Sequence, residues 1–360
     1  MEPEQVTPPE DVSAFTARVE WLRGIYARHG RKLWWLHSLY ALALGASVVI
    51  FSRRGFIYAR WLVAFLGAAW LLLLLVFRWY ARGEPKDAHP KIRLRFFVMT
   101  YVLKNLYQAM LCFLLPFYWR SATLDAPNRW FLVVLGGCAV VSTLDVVFDQ
   151  AIMRFRWLAS ILYMVTLFSC LNLVVPALFP RTSTLHSMLV AAVFAAVGLW
   201  SLHVNRKLLS QTRSGLLAVL ALFLLVTGAT VTVSQLRGAI PPVPLSLAGG
   251  AVGPRTLPDG RLELEVTKLH RAQLVQMTAV TDVVAPAGVG DRLHHIWRHR
   301  GQAVYAAQRT EVLAGPAHTL RLRSHLRPDE VPDDPTGHWS VDVSTEAGQL
   351  VGRVRFDVFE

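Results

Sequence analysis

The stretch Leu216–Ser234, LLAVLALFLLVTGATVTVS, carries no charge over 19 positions. As a helix it is long enough to cross a bilayer core of about 30 Å. Upstream of it the chain reads as membrane, and downstream as a soluble β-domain. The side on which this helix emerges therefore decides where that domain works.

Composition agrees with this division. Hydrophobic residues make up 54% of the 360 residues and charged residues 17%, too apolar for an ordinary soluble protein. The formal charge of +13 would suit a nucleic-acid binder only if it formed a basic face on a folded domain. Its distribution is different. Residues 255–360 hold 13 Lys and Arg against 14 Asp and Glu, while the rest of the chain holds 24 against 10. The basic excess flanks apolar segments, as cytoplasmic loop charges do, so a nucleic-acid partner is not expected. Cys112, Cys138 and Cys170 all lie inside apolar segments, which gives neither a disulfide framework nor a cysteine zinc site.

Residues 1–32 read as a cytoplasmic segment. Val12, Phe15, Val19, Leu22 and Tyr26 recur there at roughly helical spacing between arginines, which predicts an amphipathic helix on the membrane face. The first apolar segment reads as a retained anchor, not a cleaved signal peptide. Residues 33–234 predict seven spans: Leu33–Phe51, Trp61–Phe77, Phe96–Tyr118, Trp130–Phe148, Trp157–Phe179, His186–Val204 and Leu216–Ser234. Tryptophans at their ends, such as Trp61, Trp119, Trp130 and Trp157, suit the bilayer interface. With the N-terminus inside, the cytoplasmic segments hold 16 Lys and Arg and the short outer loops six. That bias assigns a multi-pass protein of the bacterial inner membrane with residues 255–360 in the periplasm. Between them, residues 235–254 carry Pro241, Pro242, Pro244, Gly249, Gly250 and Gly253 and read as a linker, stiff first and flexible after.

From Arg261 the hydrophobic period becomes two, giving seven predicted strands: Arg261–Thr267, Gln273–Val284, Arg292–His299, Gln302–Arg309, His318–His325, Trp339–Ser344 and Gln349–Val358. Trp339, Val341 and Val343 share one face, and Ser340, Asp342 and Ser344 the other. Arg300-Gly301 and the Thr345–Gly348 run supply hairpin turns. The expected fold is thus a membrane α-helical bundle of seven spans followed by an all-β domain, an immunoglobulin-like sandwich without the antibody cysteine pair.

His295, Trp297 and Gly301, followed by Trp339 and Asp342 and then by Gly348, Gly352 and Phe356, form blocks in a recognisable order. Over residues 262–358 they resemble a bacterial family of extracytoplasmic domains, domain of unknown function 2914, commonly fused to a multi-span membrane region. That family often has an aromatic between its blocks where this chain has Leu320 and Leu322. The resemblance implies location and architecture. It implies no activity.

The residues offer little chemistry. The β-domain has seven histidines, but His295 and His299 are four apart on one strand, roughly 13 Å, and His294 points away from His295. Neither a metal site nor a cofactor is expected. Ser324-His325 lacks a nucleophile elbow, and the acidic run around Asp329, Glu330, Asp333 and Asp334 lacks the EF-hand spacing, so no catalytic constellation is assigned. Inside the spans Lys104, Asn105, Gln108, Asp145, Asp149 and Asn172 form the expected intramembrane polar cluster, with Lys104 and Asp145 paired. It reads as packing glue more readily than as an ion path, because Pro116 and Pro176 lie near span ends and break nothing central.

Two readings of function follow. One is a membrane-anchored binding or scaffolding module for an envelope protein or glycan, with the lipid bilayer as its other partner. The alternative is a transporter or channel with the sandwich as an accessory. Both need the same topology. Alkaline phosphatase fused after residue 254 is expected to be active, and fused within residues 83–90 to be inactive; the reverse pattern contradicts the periplasmic assignment.

Overall fold

The computed structural model describes residues 67–72, 75, 90–144, 147–152, 154–179, 181–204, 209–258, 260–285, 290–307, 310–314 and 319–360. The first predicted span, most of the second, and the amphipathic N-terminal helix lie outside the described residues.

Among the described residues, the helices are α1 (Pro90–Ser121), α2 (Arg129–Thr143), α3 (Arg156–Leu178), α4 (Thr184–His203) and α5 (Thr212–Gln235), with a π-helical turn at Phe148–Ile152. Four of them, over Val98–Ser121 and along α3, α4 and α5, are long and apolar enough to cross a membrane. α2 is shorter than a span. The chain is a membrane protein, and its described part supports four such helices out of the seven expected.

Small residues set the helix packing. α4 buries Ala191, Ala192, Ala195, Ala196 and Gly198 against its neighbours. A Cβ on Gly198 would stand 2.9 Å from a Leu167 methyl and 3.1 Å from the Tyr163 ring, so α3 and α4 approach at glycine distance. Among the described helices α3 is the most enclosed, with Ser169, Cys170, Asn172 and Leu173 all buried. α5 buries no residue fully and leans on α4, where Trp200 Nε1 donates to the Ala218 carbonyl at 2.8 Å.

Among the described residues the β-region has nine strands in two sheets: β1 (Ser246–Gly253), β2 (Lys268–His270), β3 (Thr278–Val284), β4 (Leu293–His299), β5 (Gln302–Ala306), β6 (Glu311–Ala314), β7 (Thr319–His325), β8 (Gly337–Thr345) and β9 (Leu350–Phe359). The sheet orders are β1-β3-β7-β6 and β2-β9-β8-β4-β5. Side chains from both sheets meet in two shared cores. One joins Val252 and Ala279 to Trp297, Trp339 and Phe356; the other joins Val283 and Leu322 to Leu293, Val343 and Val351. This is a β-sandwich.

The predicted faces of β8 hold: Trp339, Val341 and Val343 are buried in the cores. The predicted turns hold as well, with Arg300 (φ 48°), Gly301 (φ 84°) and Gly348 (φ 82°) in the left-handed region. Three readings are corrected. The predicted strand Gln273–Val284 is a strand only from Thr278, because Arg271–Gln276 form a 3-10 turn. Arg261–Thr267 is not a strand; the chain there makes an isolated bridge, Thr256 to Leu262, and then enters β2, which runs parallel to β9. Residues 246–253 are not a flexible linker. They form β1, paired antiparallel with β3. The glycines are there for packing: a Cβ on Gly250 would lie 2.5 Å from a Val354 methyl, and one on Gly352 would lie 2.5 Å from Leu247 Cβ. β1 and β9 thus close one side of the sandwich by seating side chains on glycine backbone.

The stiff half of the expected linker is also absorbed. Residues 240–245 are all buried. Ile240 and Val243 belong to the core of the helical bundle, and Leu245 belongs to the core of the sandwich.

A fragment starting at residue 245 retains β1, and one starting at 255 does not. The longer fragment is expected to unfold at the higher urea concentration. Within it, Trp339→Ala is expected to cost about 3–5 kcal/mol, the usual loss for a truncated core aromatic. Equal midpoints for the two fragments, or a loss below about 1 kcal/mol for the variant, contradict this packing.

Candidate functional site

The α1–α2 connection, the α3–α4 connection and the chain leaving α5 all touch the sandwich, so they lie at one end of the bundle. Two of the residues at the contact, Asp291 and Arg237, bond backbone groups that a helix end leaves free. Asp291 Oδ2 accepts from the Thr184 backbone N–H at 2.9 Å. A carboxylate there satisfies an orphan donor and meets the positive end of α4. Burial pushes the Asp291 carboxyl up, opposed by the hydrogen bonds from Thr184. Beside it the backbones close up: a Cβ on Gly290 would be 2.5 Å from the Thr182 carbonyl oxygen.

The β8–β9 turn docks next to this point. Gln349 is fully buried; its Oε1 accepts from Thr184 Oγ1 at 2.5 Å and its Nε2 donates to Met188 Sδ at 3.6 Å. Arg237, just past α5, donates from Nη1 to the Ser234 carbonyl at 2.9 Å and from Nε to the Ala347 carbonyl at 2.6 Å. It satisfies a helix C-terminal carbonyl and the turn together. On the other flank Asn128 Oδ1 holds the Thr123 N–H at 3.0 Å, and its Nδ2 donates to the Leu350 carbonyl at 3.3 Å.

A charge chain completes the contact. Asp342, buried on β8, accepts from Arg353 Nε at 2.6 Å and Nη2 at 2.9 Å, and from Arg298 Nε at 2.7 Å. Arg353 Nη1 then reaches Asp125 Oδ2 of the α1–α2 loop at 2.8 Å, and Arg355 pairs with the same carboxylate. Burial pushes the Asp125 carboxyl up, but the hydrogen bonds from Arg355 and Arg353 outweigh it and hold it below the usual range. The Asp342 contacts make Arg353 harder to deprotonate still.

A cleft of about 850 Å³ adjoins this docking surface, within the usual size of small-molecule pockets. Leu293, Leu320, Leu322 and Val312 form its apolar wall, and Asp291, Arg292, His294 and Glu346 its polar rim. Ala306 of β5 and Val312 of β6, the edge strands at one side of the two sheets, are among its lining. Burial lowers the His294 pKa, and Glu346 opposes the shift.

The motif residues lie in the core, at turns and in the charge chain. Trp297, Trp339 and Phe356 fill the core, with Trp297 edge-on to Phe356 and Trp339 stacked on it. Gly301 and Gly348 make turns, Gly352 admits Leu247, and Asp342 anchors the charge chain. His295 is fully buried. Its Nδ1 meets Ser324 Oγ at 2.7 Å and its Nε2 meets Thr281 Oγ1 at 2.8 Å, while Trp297 Nε1 donates to the same Ser324 Oγ at 3.1 Å. Residue types gave no hint of this Ser–His contact, because the partners are 29 positions apart and on different sheets. It has the groups of a nucleophile and base, yet it is sealed from any substrate. The other described histidines are spread out: His270 accepts from Ala272 N–H, His299 meets the Thr336 carbonyl, His325 meets Thr278 and His338 meets Asp357. Among the described residues no group of His, Cys, Asp and Glu could hold a metal ion.

Within the bundle, Lys104 and Gln108 are buried, and Lys104 Nζ lies 5.9 Å from the Tyr101 ring centroid. Asn105 bonds its own helix at the Tyr101 carbonyl, 2.8 Å. Asn172 Nδ2 donates to Tyr118 Oη at 3.2 Å, and that hydroxyl donates to the Ser169 carbonyl at 3.1 Å. Asp145 lies outside the described residues, as does the Asp149 side chain, and with Asp145 the expected pair to Lys104.

Burial, aided by the neighbouring His294, lowers the His295 pKa from 6.5 to about 3. The folded state keeps this imidazole neutral while the unfolded chain protonates below about 6.5, so its contribution is present above that pH and is lost as pH falls toward 3. In the 245–360 fragment the stability advantage of the native protein over His295→Gln is expected to shrink by up to about 1.4 kcal/mol per pH unit across that window. A constant gap between urea midpoints contradicts a buried neutral His295.

Comparison with known proteins extends this picture to families. No curated protein and no solved structure matches the chain. Residues 290–358 match a protein family of unknown function, DUF2914. Residues 13–279 match a second, the family of unknown function DUF5924. The expected fusion of a membrane region to a DUF2914 domain is present, but the boundary falls inside the sandwich: β1 and β2 lie within the longer match, β3 runs past its end, and β4 to β9 lie in the shorter. Since the longer match spans most of the sequence, the chain belongs to the DUF5924 family.

Proposed function

We propose that the protein is a multi-pass inner-membrane protein that holds a periplasmic, immunoglobulin-like sandwich fixed on the outer ends of its helices as a binding or scaffolding module. The cleft beside the docking surface is its ligand site. The carrying observation is the docking itself. Residues 240–245 are buried from one core to the other, and Asp291, Gln349 and Arg353 each bond the bundle. A module held this way presents its cleft at a fixed height and orientation, which suits recognition of something in or near the membrane plane.

The immunoglobulin-like assignment is supported by strand order. β1-β3-β7-β6 against β2-β9-β8-β4-β5 corresponds to four strands ABED facing a CFG sheet widened at both edges, and Trp297 sits buried on the strand equivalent to C. The periplasmic assignment rests on the loop-charge bias. It is compatible with all three sandwich-facing connections lying at one end of the bundle.

The transporter alternative also has an observation behind it. Among the described residues, Tyr107 Oη, Ser169 Oγ and Asn172 Oδ1 are buried without a hydrogen-bond partner. Such atoms in a helical bundle suit bound water or a polar solute.

The test is in-cell photo-crosslinking of the full chain. A photoreactive residue replacing Val312, on the cleft wall, is expected to give a discrete adduct. One replacing His338, an exposed position on β8 outside the cleft, is expected to give none. Silence at every cleft position, or equal adducts at both, contradicts a binding module.

A further inference from the structure

The cleft lies at the level where the helices end. Its rim residue Asp291 bonds the first residue of α4. Close by, Phe179 is 62% exposed just past α3; at the same end of the bundle Trp119 is 60% and Trp130 59% exposed. Arg129 stacks over the Trp130 ring at 5.0 Å. Exposed aromatics paired with arginine mark the headgroup zone of a bilayer. The cleft therefore opens from a sandwich whose lower end stands in that zone.

Its lining has two parts. Leu293, Leu320 and Leu322 make an apolar floor, and the exposed Val312 continues it onto edge strand β6, where Leu313 is also partly exposed. An apolar edge strand left in water is a pairing and aggregation hazard. Contact with acyl chains removes that hazard. The rim places one guanidinium, Arg292, in the company of two carboxylates, Asp291 and Glu346. That pattern complements a headgroup with one phosphate and one ammonium.

We infer that the cleft binds a zwitterionic phospholipid of the adjacent leaflet, its acyl chain against Leu320 and Val312 and its phosphoethanolamine group among Arg292, Asp291 and Glu346. The assignment rests on the binding-module reading and names its ligand. Extracting one chain into an apolar cleft costs little, because the tail passes from one apolar surroundings to another. The headgroup gains charged hydrogen bonds, which are stronger than neutral ones. A fixed sandwich suits this role, because the cleft stays within reach of the bilayer.

The full chain in nanodiscs of phosphatidylethanolamine and phosphatidylglycerol, with a trace of tail-diazirine phosphatidylethanolamine, gives the test. After irradiation, mass spectrometry is expected to find label in peptides covering residues 302–325 and, as an internal control, on the lipid-length helix α5. Ala306→Trp, which fills the cleft from the exposed edge of β5, and Arg292→Glu, an exposed charge reversal, are each expected to abolish the sandwich label and keep the α5 label. Label confined to helices in the native protein, or sandwich label surviving both variants, overturns the inference. Equal labelling by a phosphatidylglycerol probe overturns the headgroup assignment. Failure of the underlying reading looks different: there, photoreactive residues in the cleft capture nothing, whereas a peptide or glycan adduct at Val312 removes the lipid alone.

Discussion

Six consecutive buried residues, 240–245, constrain everything around them. Ile240 and Val243 are packed in the helical core and Leu245 in the sandwich core, so the chain never passes through water between the two. A chain that leaves one core and enters the next within two residues has no slack for independent motion. Three prolines in this stretch, Pro241, Pro242 and Pro244, remove backbone donors that would otherwise need partners at a buried crossing. The sandwich is therefore mounted on the bundle, not tethered to it.

Mounting also resolves the polar ends of the helices. A helix end buried under another domain must find partners for its free N–H and C=O groups. Here Asp291 serves the start of α4, Arg237 the end of α5, and Asn128 the loop between α1 and α2. The Asp342–Arg353–Asp125 chain adds charges that are each multiply bonded, so none is left buried and alone. The family boundary inside the sandwich makes physical sense in this light. β1 supplies Gly250 for Val354 to pack on and Leu247 to pack on Gly352, so the stretch following the helices supplies an edge that the β4–β9 part needs to close.

Much of this architecture was legible in the sequence. Charge-free runs marked α3, α4 and α5, alternation marked the core face of β8, and glycine marked the turns at Gly301 and Gly348. β1 was not legible, because LAGGAVG has the composition of a linker; its glycines reflect a neighbouring strand, which no local pattern reveals. β2 was missed because three residues paired in parallel to a distant strand carry no period. Asp342 lies on the polar face of β8 and is nonetheless buried, because Arg298 and Arg353 cover it, which alternation alone does not reveal. The cleft was invisible for the same reason: its rim comes from the β3–β4 connection, from β4 and from the β8–β9 turn, far apart in sequence. The motif residues were legible as blocks in the sequence, but their places in the core, at the turns and in the charge chain depend on contacts across sheets.

The central claim is that the sandwich is fixed to the helix ends, and disulfide closure in native membranes measures it directly. Asp291 reaches the Thr184 backbone across the contact. Cysteines replacing Thr184 and Asp291, in a chain cut by protease between residues 254 and 260, are expected to keep the two pieces together on a gel after mild oxidation, and to do so faster than cysteines replacing Thr184 and Asp334. Closure no faster than that control pair would mean that the sandwich moves freely above the membrane, and the account would fail.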